Sequence, residues 1–215
     1  MIRVLIADDH AIVRQGLHQV LAGEADMTVA GEAASGEELL RMARDRGWDM
    51  VVLDLSLPGV SGLDVQRELK HIAPDLPVLI LSVHAEDQYA IRALRAGARG
   101  YLTKEAAPEE LVNAIRTILA GDKYVSPSMA QQLAEHVASQ TPEHMHEALS
   151  DREFEVLRLL VAGKRVKEIA EAMGLSPKTV STYRSRVLEK MHMESNADLV
   201  QYAIQERLID PGPTP

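Results

Sequence analysis

The chain of 215 residues has room for one or two domains, and its 46% hydrophobic and 26% charged residues are typical of a soluble globular protein. The lack of cysteine excludes disulfides, thiolate zinc sites, iron–sulfur clusters and cysteine nucleophiles, which suits a reducing cytoplasm. The longest apolar runs fall far short of the ~18 residues of a membrane span. Met1 leads directly into a strand-like segment, so we expect no signal peptide and no membrane partner.

The net charge of −9 argues against nucleic-acid binding over the whole surface, but the charge is unevenly distributed. Residues 1–125 carry −6, residues 126–148 carry −3, and residues 149–215 are neutral. This distribution indicates an acidic first domain, an acidic linker and a locally neutral last domain with different tasks.

The first part alternates between two kinds of apolar pattern. Short β-branched and aliphatic runs predict five strands, over residues 2–7, 27–33, 50–53, 77–81 and 100–102. Apolar residues at helical spacing follow each strand; Ser35 with Glu38 forms a capping box, Ser61 begins a helix after the Pro58-Gly59 turn, and Pro108 lies in the first turn of the last helix. Five strand–helix repeats predict a parallel sheet with helices on both faces.

The second part is predicted to be a linker followed by helices. Apolar residues at four-residue spacing predict a linker helix over Ser126–Gln140, and the polar segment Thr141–Glu147 predicts a flexible hinge. Four helices are then predicted near residues 151–162, 166–173, 177–191 and 196–206. The predicted domains are 1–125, a linker over 126–148, a helical domain over 149–209 and a disordered tail over 210–215.

Polar side chains end the predicted strands, where a doubly wound sheet binds its ligands. They are Asp8, Asp9, Asp54, Ser82 and Lys104. Clustered carboxylates repel one another, and Mg²⁺ would relieve that repulsion. Asp54 could then attack a phosphoryl group, with the metal, Lys104 and Ser82 holding its equatorial oxygens. Taken singly, each residue is more often a helix cap, a turn or a surface group.

Residues 1–122 closely resemble the receiver domain of bacterial two-component response regulators. The matching segments are 4–10, 51–55, 57–59, 81–82, 96–98 and 100–104. The resemblance implies that Asp54 accepts a phosphoryl group from a sensor-kinase histidine. It also implies that Asp9 binds Mg²⁺ directly, Asp8 mainly through water, and Ser56 through its backbone carbonyl.

The resemblance further assigns Ser82 and Tyr101 as a two-state switch pair, in which the aromatic ring turns inward as the hydroxyl moves toward the phosphoryl group. Without it, Tyr101 would be read as a half-buried strand residue. Glu105 follows Lys104 where many receivers have a cis proline, so we expect a trans bond here, because a non-proline cis bond costs ~3 kcal/mol.

A helix-turn-helix is predicted across Gly174–Pro177, with Ser176 as N-cap and Pro177 at the first helical position. One arc of the second helix is apolar and holds Val180, Tyr183, Val187, Leu188 and Met191. The opposite arc is polar and holds Lys178, Ser181, Thr182, Ser185, Arg186 and Glu189. A polar, basic arc is suited to contact bases in the major groove of DNA. The charge alone, however, favours an ordinary surface helix whose polar side faces solvent.

Residues 149–209 resemble the LuxR/NarL-type DNA-binding domain. The matching segments are 149–153, 155–157, 167–170 and 175–180. The resemblance implies that Ser181, Thr182 and Ser185 point at base edges. It places a second set at phosphates, namely Lys178, Thr179 and Arg186. Arg184 falls inside the apolar arc, where it could extend to a phosphate or pair with a carboxylate such as Glu153.

We therefore interpret the chain as a phosphorylation-dependent transcription regulator of the NarL/FixJ family, with a flavodoxin-like α/β receiver and an all-α helix-turn-helix domain. The expected cofactor is Mg²⁺. The expected partners are a sensor histidine kinase, promoter DNA, a second copy of the chain after phosphorylation, and RNA polymerase. The only expected catalysis is self-phosphorylation from a donor and slow autodephosphorylation at Asp54.

Three other interpretations remain open at this point. An aspartyl-phosphate phosphatase usually needs a second Asp two residues after the nucleophile, where this chain has Ser56. A protein-interaction module would tolerate alanine at Arg186 without loss of DNA affinity. A degenerate receiver would lack part of the acidic and lysine set. The eight histidines are scattered, and only His144 and His146 are close, so we expect no structural zinc site.

Overall fold

The structure, a computed structural model, describes residues 1–208 except 46, 59, 84–87, 128, 132–144 and 207. The chain divides into two units, Met1–Ser139 and Gln140–Pro215. The predictions for the rest of the linker helix, for residues 141–144 and for the tail over 210–215 lie outside the described residues. Among the described residues, no helix is long and apolar enough to cross a membrane.

The first unit alternates strands and helices, as predicted. Its strands are β1 (Ile2–Ala7), β2 (Met27–Ala33), β3 (Met50–Asp54), β4 (Val78–Ser82) and β5 (Gly100–Thr103). Its helices are α1 (Ala11–Ala22), α2 (Gly36–Met42), α3 (Gly62–Ile72), α4 (Gln88–Arg95) and α5 (Pro108–Leu119). The strands form a parallel sheet in the order β2-β1-β3-β4-β5, which confirms the predicted fold class.

Helices cover both faces of this sheet. β3 and β4 are buried along their whole length, as expected for central strands of a doubly wound fold. α1 packs beside α5, and α3 packs beside α2 and α4. The result is a sheet whose polar residues are exposed to ligands mainly at the strand ends.

The predicted helix starts have a local chemical cause. The Ser35 hydroxyl accepts a hydrogen bond from the Glu38 backbone N–H at 3.2 Å. The reciprocal half of the predicted capping box is absent, because the Glu38 carboxylate accepts the Ala34 N–H and not that of Ser35. Ser61 is the N-cap residue of α3, as predicted, but its side chain makes no capping hydrogen bond. Pro108 is the first residue of α5, where its missing N–H costs no helical hydrogen bond.

The second unit is helical. A short 3₁₀ helix (Met145–Ala148) precedes α6 (Asp151–Val161), α7 (Val166–Ala172), α8 (Pro177–Lys190) and α9 (Asn196–Gln205). Its buried apolar residues include Phe154, Leu157, Ile169, Val180 and Val187. The four predicted helices and the helix-turn-helix across residues 174–177 are confirmed.

The end of the predicted hinge is part of this unit. His146 is buried, and its Nδ1 lies 2.8 Å from the Tyr202 hydroxyl on α9. The His146 ring also packs against Phe154 and Tyr202, with centroids 5.8 and 5.9 Å apart. Residues 145–147 are therefore not a flexible hinge, because burial and a hydrogen bond hold them to the helical unit.

Candidate functional site

The carboxyl edge of the sheet brings the predicted polar residues together. Asp8 follows β1, Asp54 and Ser82 are the last residues of β3 and β4, and Lys104 directly follows β5. Because β1 and β3 are neighbours, Asp8 and Asp54 lie side by side.

Lys104 joins the two buried carboxylates. Its Nζ lies 2.6 Å from Asp8 Oδ2 and 2.7 Å from Asp54 Oδ2. Both aspartates are almost fully buried, at 2% and 1% exposure. One ammonium shared between two carboxylates leaves a net negative charge in this pocket, which attracts a cation.

The pKa values reflect this arrangement. Burial raises the pKa of Asp54, and the hydrogen bonds from Lys104 and from the Ser56 backbone N–H do not fully offset that effect. Burial opposes the charge on Lys104, but its hydrogen bonds to Asp54 and Asp8 outweigh burial and raise its pKa. Lys104 therefore stays charged at neutral pH.

Backbone contacts hold the two acidic loops. Arg14 donates Nη1–H to the Asp8 carbonyl at 2.7 Å and Nε–H to Glu32 at 2.9 Å. The Ser56 N–H donates to Asp54 Oδ1 at 3.1 Å. Arg14 was not predicted from the sequence, because its partners lie on different elements, Asp8 in the loop after β1 and Glu32 in β2.

Four side chains at this edge could bind a metal ion. One donor atom from each of Asp8, Asp9, His10 and Asp54 lies within 4.8 Å of the others. Carboxylate oxygens are the ligands that Mg²⁺ prefers, so this donor set fits a divalent cation. Sequence reasoning missed His10, although its position directly after the two aspartates was a signal.

The two residues of the expected switch pair are both buried. Ser82 is fully buried at the end of β4, and its carbonyl accepts the Lys104 N–H at 2.7 Å. Tyr101 is 1% exposed, so the expectation of a half-buried strand aromatic is wrong and the ring lies inside the unit. The Lys104–Glu105 bond is trans, as expected.

The helix-turn-helix of the second unit has the predicted cap. The Ser176 hydroxyl accepts the Thr179 N–H at 3.1 Å, and Pro177 begins α8. The apolar arc of α8 faces the core through Val180, Val187 and Met191. The polar arc is exposed, including all of the predicted DNA-contacting residues except the half-buried Thr179.

Three hydroxyls of the exposed arc bond back to their own helix. Ser181 donates to the Pro177 carbonyl, Thr182 to that of Lys178, and Ser185 to that of Ser181, at 2.9 to 3.1 Å. Each of these exposed hydroxyls therefore donates its proton within the helix and can only accept a hydrogen bond from outside.

Arg184 has a partner that neither expectation included. Its Nε donates to Asn196 Oδ1 at 2.8 Å, which ties α8 to the start of α9. Glu153 instead pairs with Lys190 at 2.6 Å, and the capping box with Ser150 also engages it. The ion pair with Lys190 and the hydrogen bonds from Ser150 offset burial and lower the pKa of Glu153.

Both units match known families. Residues 4–116 match the response regulator receiver domain, and residues 147–203 match the bacterial regulatory proteins of the luxR family. The chain is 41% identical to the response regulator GacA of Pseudomonas viridiflava over 211 residues, covering 98% of this chain and 99% of that protein. It is 37% identical to the response regulator UvrY of Escherichia coli strain K12 over 209 residues, covering 97% and 96%.

Solved structures agree with these matches. A LuxR-family two-component response regulator from Aurantimonas is 39% identical, with a TM-score of 0.60, over 63% of this chain and 96% of that one. RcsB from Salmonella enterica serovar Typhimurium, bound to the promoter rprA with the phosphomimetic BeF₃⁻, is 27% identical, with a TM-score of 0.64, over 94% and 97%. The chain therefore belongs to the two-component response regulators of the NarL/FixJ family, which are phosphorylation-controlled transcription regulators with a receiver domain and a LuxR-type helix-turn-helix domain.

Proposed function

We propose that Asp54 is the phosphoacceptor and that a sensor histidine kinase is the donor. The observation that carries this proposal is the bridge from Lys104 to the buried Asp54 and Asp8 carboxylates, at 2.7 and 2.6 Å. Asp54 ends a central strand, so its carboxylate is fixed at the open edge of the sheet. The proposed setting is the bacterial cytoplasm, where phosphoryl donor and promoter DNA are both present.

In the proposed reaction an Asp54 carboxylate oxygen attacks the phosphorus of a phosphohistidine. The new P–O bond forms as the P–N bond breaks, and the bonding electrons leave with the donor imidazole. Lys104 neutralises the phosphoryl oxygens, and Ser82 donates its hydroxyl to one of them. Asp8, Asp9, Asp54 and the Ser56 carbonyl would hold Mg²⁺, which supplies further positive charge.

The proposed output is a change in the receiver that favours a dimer. Engagement of Ser82 by the phosphoryl group would bias the position of Tyr101, which lies on the neighbouring strand. A helix-turn-helix reads a half-site, so two copies are needed for a two-fold symmetric promoter.

The helical unit is proposed to bind that promoter through α8. Ser181, Thr182 and Ser185 would face base edges, while Lys178, Thr179 and Arg186 would contact phosphates. The related RcsB has been solved with promoter DNA, which supports this assignment. RNA polymerase is proposed as a further partner at the promoter.

The dimer proposal predicts a response to a phosphoryl mimic. Wild-type protein with Mg²⁺ and beryllofluoride is expected to sediment as a dimer and, without the mimic, as a monomer. Asp54→Ala is expected to remain monomeric in both conditions, because the mimic binds the Asp54 carboxylate. An unchanged sedimentation coefficient in the wild type, or an equal shift in the variant, would contradict the proposal.

The DNA proposal predicts a change in salt dependence. Arg186→Ala is expected to weaken promoter binding and to reduce the slope of log K against log salt by about 1 per bound subunit. Binding is measured by fluorescence anisotropy of labelled DNA across a salt series. Lys123→Ala removes the same charge from the receiver unit and should leave the slope unchanged. Unaltered DNA affinity in Arg186→Ala would favour a protein-interaction role.

A further inference from the structure

Helix α8 carries four cationic side chains, and the structure divides them by their surroundings. Lys178 and Arg186 lie on the exposed polar arc, and Lys190 pairs with a carboxylate of α6. Arg184 is half-buried, and its Nε–H donates to Asn196 Oδ1 on α9 at 2.8 Å. Arg184 is therefore bound to another helix of its own unit, whereas the two cations proposed to contact phosphates are exposed.

The sequence position of Arg184 places it beside the core. Arg184 follows Val180 by four residues and precedes Val187 by three, and residues at these spacings share one side of a helix. Both valines are fully buried. A guanidinium beside an apolar face needs a hydrogen-bond acceptor, because removing a charged group from water without one is costly. The side-chain oxygen of Asn196 supplies this acceptor.

The acceptor belongs to a well-anchored helix start. Asn196 is the first residue of α9. The preceding Ser195 hydroxyl accepts the Asp198 N–H at 3.3 Å, and the Asp198 carboxylate accepts the Ser195 N–H at 2.8 Å, which completes a capping box. Leu199 is fully buried and holds the first turn of α9 in the core. The bond from Arg184 therefore ties α8 to a fixed point of the unit.

This tie matters because base contacts and phosphate contacts differ in the precision that they need. Side chains that bind specifically have to lie within about 0.5 Å of their productive positions, whereas attraction to the phosphate backbone is independent of sequence. We propose that Arg184 is a positioning residue for sequence-specific DNA binding. Its bond to Asn196 holds α8 in the register at which the three exposed hydroxyls meet base edges. This inference rests on the proposed function in that α8 enters the major groove.

Two other roles for Arg184 predict different measurements. A phosphate contact through the rest of the guanidinium releases counterions, so its loss lowers the slope of log K against log salt by about 1 per bound subunit. A role in folding alone would lower the melting temperature of the unit and weaken binding to every DNA sequence alike. A positioning role leaves the slope unchanged and reduces the preference for one sequence over another.

Two substitutions at Arg184 separate these roles. Glutamine has its amide nitrogen at the same place along the side chain as arginine Nε, so Arg184→Gln keeps an N–H donor for Asn196 and removes the charge. Arg184→Met removes both the donor and the charge at a similar side-chain length. Arg186→Gln is the matched control, because it removes a charge from the exposed arc of the same helix.

The test uses the full chain and two labelled duplexes, one selected by the wild type from a random-sequence pool and one with the same bases shuffled. Fluorescence anisotropy gives both affinities across a salt series, and circular dichroism gives the melting temperature. We expect Arg184→Met to weaken binding to the selected duplex about tenfold and to the shuffled duplex less than about twofold, at an unchanged salt slope. Arg184→Gln is expected to stay within about threefold of the wild type on both duplexes. The Arg186→Gln control should lower the slope by about 1 per bound subunit on both.

Four results would overturn the proposal. A lower salt slope in both Arg184 variants would assign Arg184 to a phosphate, and an equal loss on both duplexes in Arg184→Met would assign it a role in folding alone. A wild-type preference in Arg184→Met, or an equal loss of preference in Arg184→Gln, would show that the bond from Nε does not position α8. In each case a lower slope in Arg186→Gln would leave the proposed function intact. If Arg186→Gln also bound DNA as the wild type does, the proposed placement of α8 on DNA would fail as well.

Discussion

Asp54→Asn is expected to abolish phosphorylation and, without divalent cations, to stabilise the receiver unit by about 1 kcal/mol. The amide oxygen is too poor a nucleophile to form the acyl phosphate. Stability should rise because the native Asp54 carboxylate is 1% exposed and has a raised pKa, so its ionisation opposes folding. Lys104 keeps Asp8 as a partner at 2.6 Å in the variant.

The sign of the pH dependence follows from the raised pKa. An aspartate whose pKa is higher in the folded chain stabilises the fold while protonated, and this stabilisation is lost as the pH rises through the folded pKa. The gain in stability of Asp54→Asn over the wild type should therefore be largest at neutral pH and should shrink as the pH falls. Added Mg²⁺ should also reduce this difference, since the ion would bind the native carboxylates in the proposed site.

Urea unfolding followed by tryptophan fluorescence measures this effect in the full chain. The single tryptophan, Trp48, lies in the receiver unit, where its Nε1–H donates to the Met42 carbonyl at 2.9 Å. Its signal therefore reports on that unit. Asp64→Asn is the control, because Asp64 is 48% exposed on α3. The prediction would be contradicted if Asp54→Asn were less stable than the wild type at neutral pH.

The second large effect on the stability of the receiver unit is expected from a substitution at the start of α3. A Cβ atom on Gly62 would overlap Leu55 Cα and lie 2.7 Å from the Asp54 carbonyl oxygen. Both are backbone atoms directly at the proposed phosphoacceptor, so no side-chain rotation can relieve the clash. We expect Gly62→Ala to destabilise the receiver unit by about 3 kcal/mol and to weaken the response to beryllofluoride by displacing Asp54.

Gly16→Ala provides the matched control. Gly16 lies in the middle of α1, and a Cβ atom there meets nothing within 4 Å. Alanine at this place should stabilise the unit by up to about 1 kcal/mol, because glycine loses more conformational entropy in a helix. The same urea titration compares the two variants. Equal stability of the two would show that the α3 start can move without cost.

The regular elements could be predicted because burial on both faces leaves a clear pattern. β1 and β2 have the same bounds as the predicted runs 2–7 and 27–33. Parallel strands also share an edge, so strand-ending residues such as Asp8 and Asp54 could be expected to meet before any contact was known.

Polar contacts between distant elements could not be predicted in this way. An apolar pattern shows which face is buried but does not fix which polar groups meet across it. His146 meets Tyr202, 56 residues away, and Arg184 meets Asn196 instead of a carboxylate such as Glu153. The direction of the His10 ring depends on the loop backbone, which no spacing rule describes.

The three hydroxyls on α8 that bond to their own helix limit the hydrogen bonds that this helix can make with DNA bases. Since Ser181, Thr182 and Ser185 have their protons committed to carbonyls of the preceding turn, they offer lone pairs outward. Lone pairs complement the exocyclic amines of adenine and cytosine in the major groove and repel the guanine O6 and N7 acceptors. Under the proposed placement, guanine on the strand facing these hydroxyls would be discriminated against by electrostatic mismatch, and arginine or lysine elsewhere would have to read it.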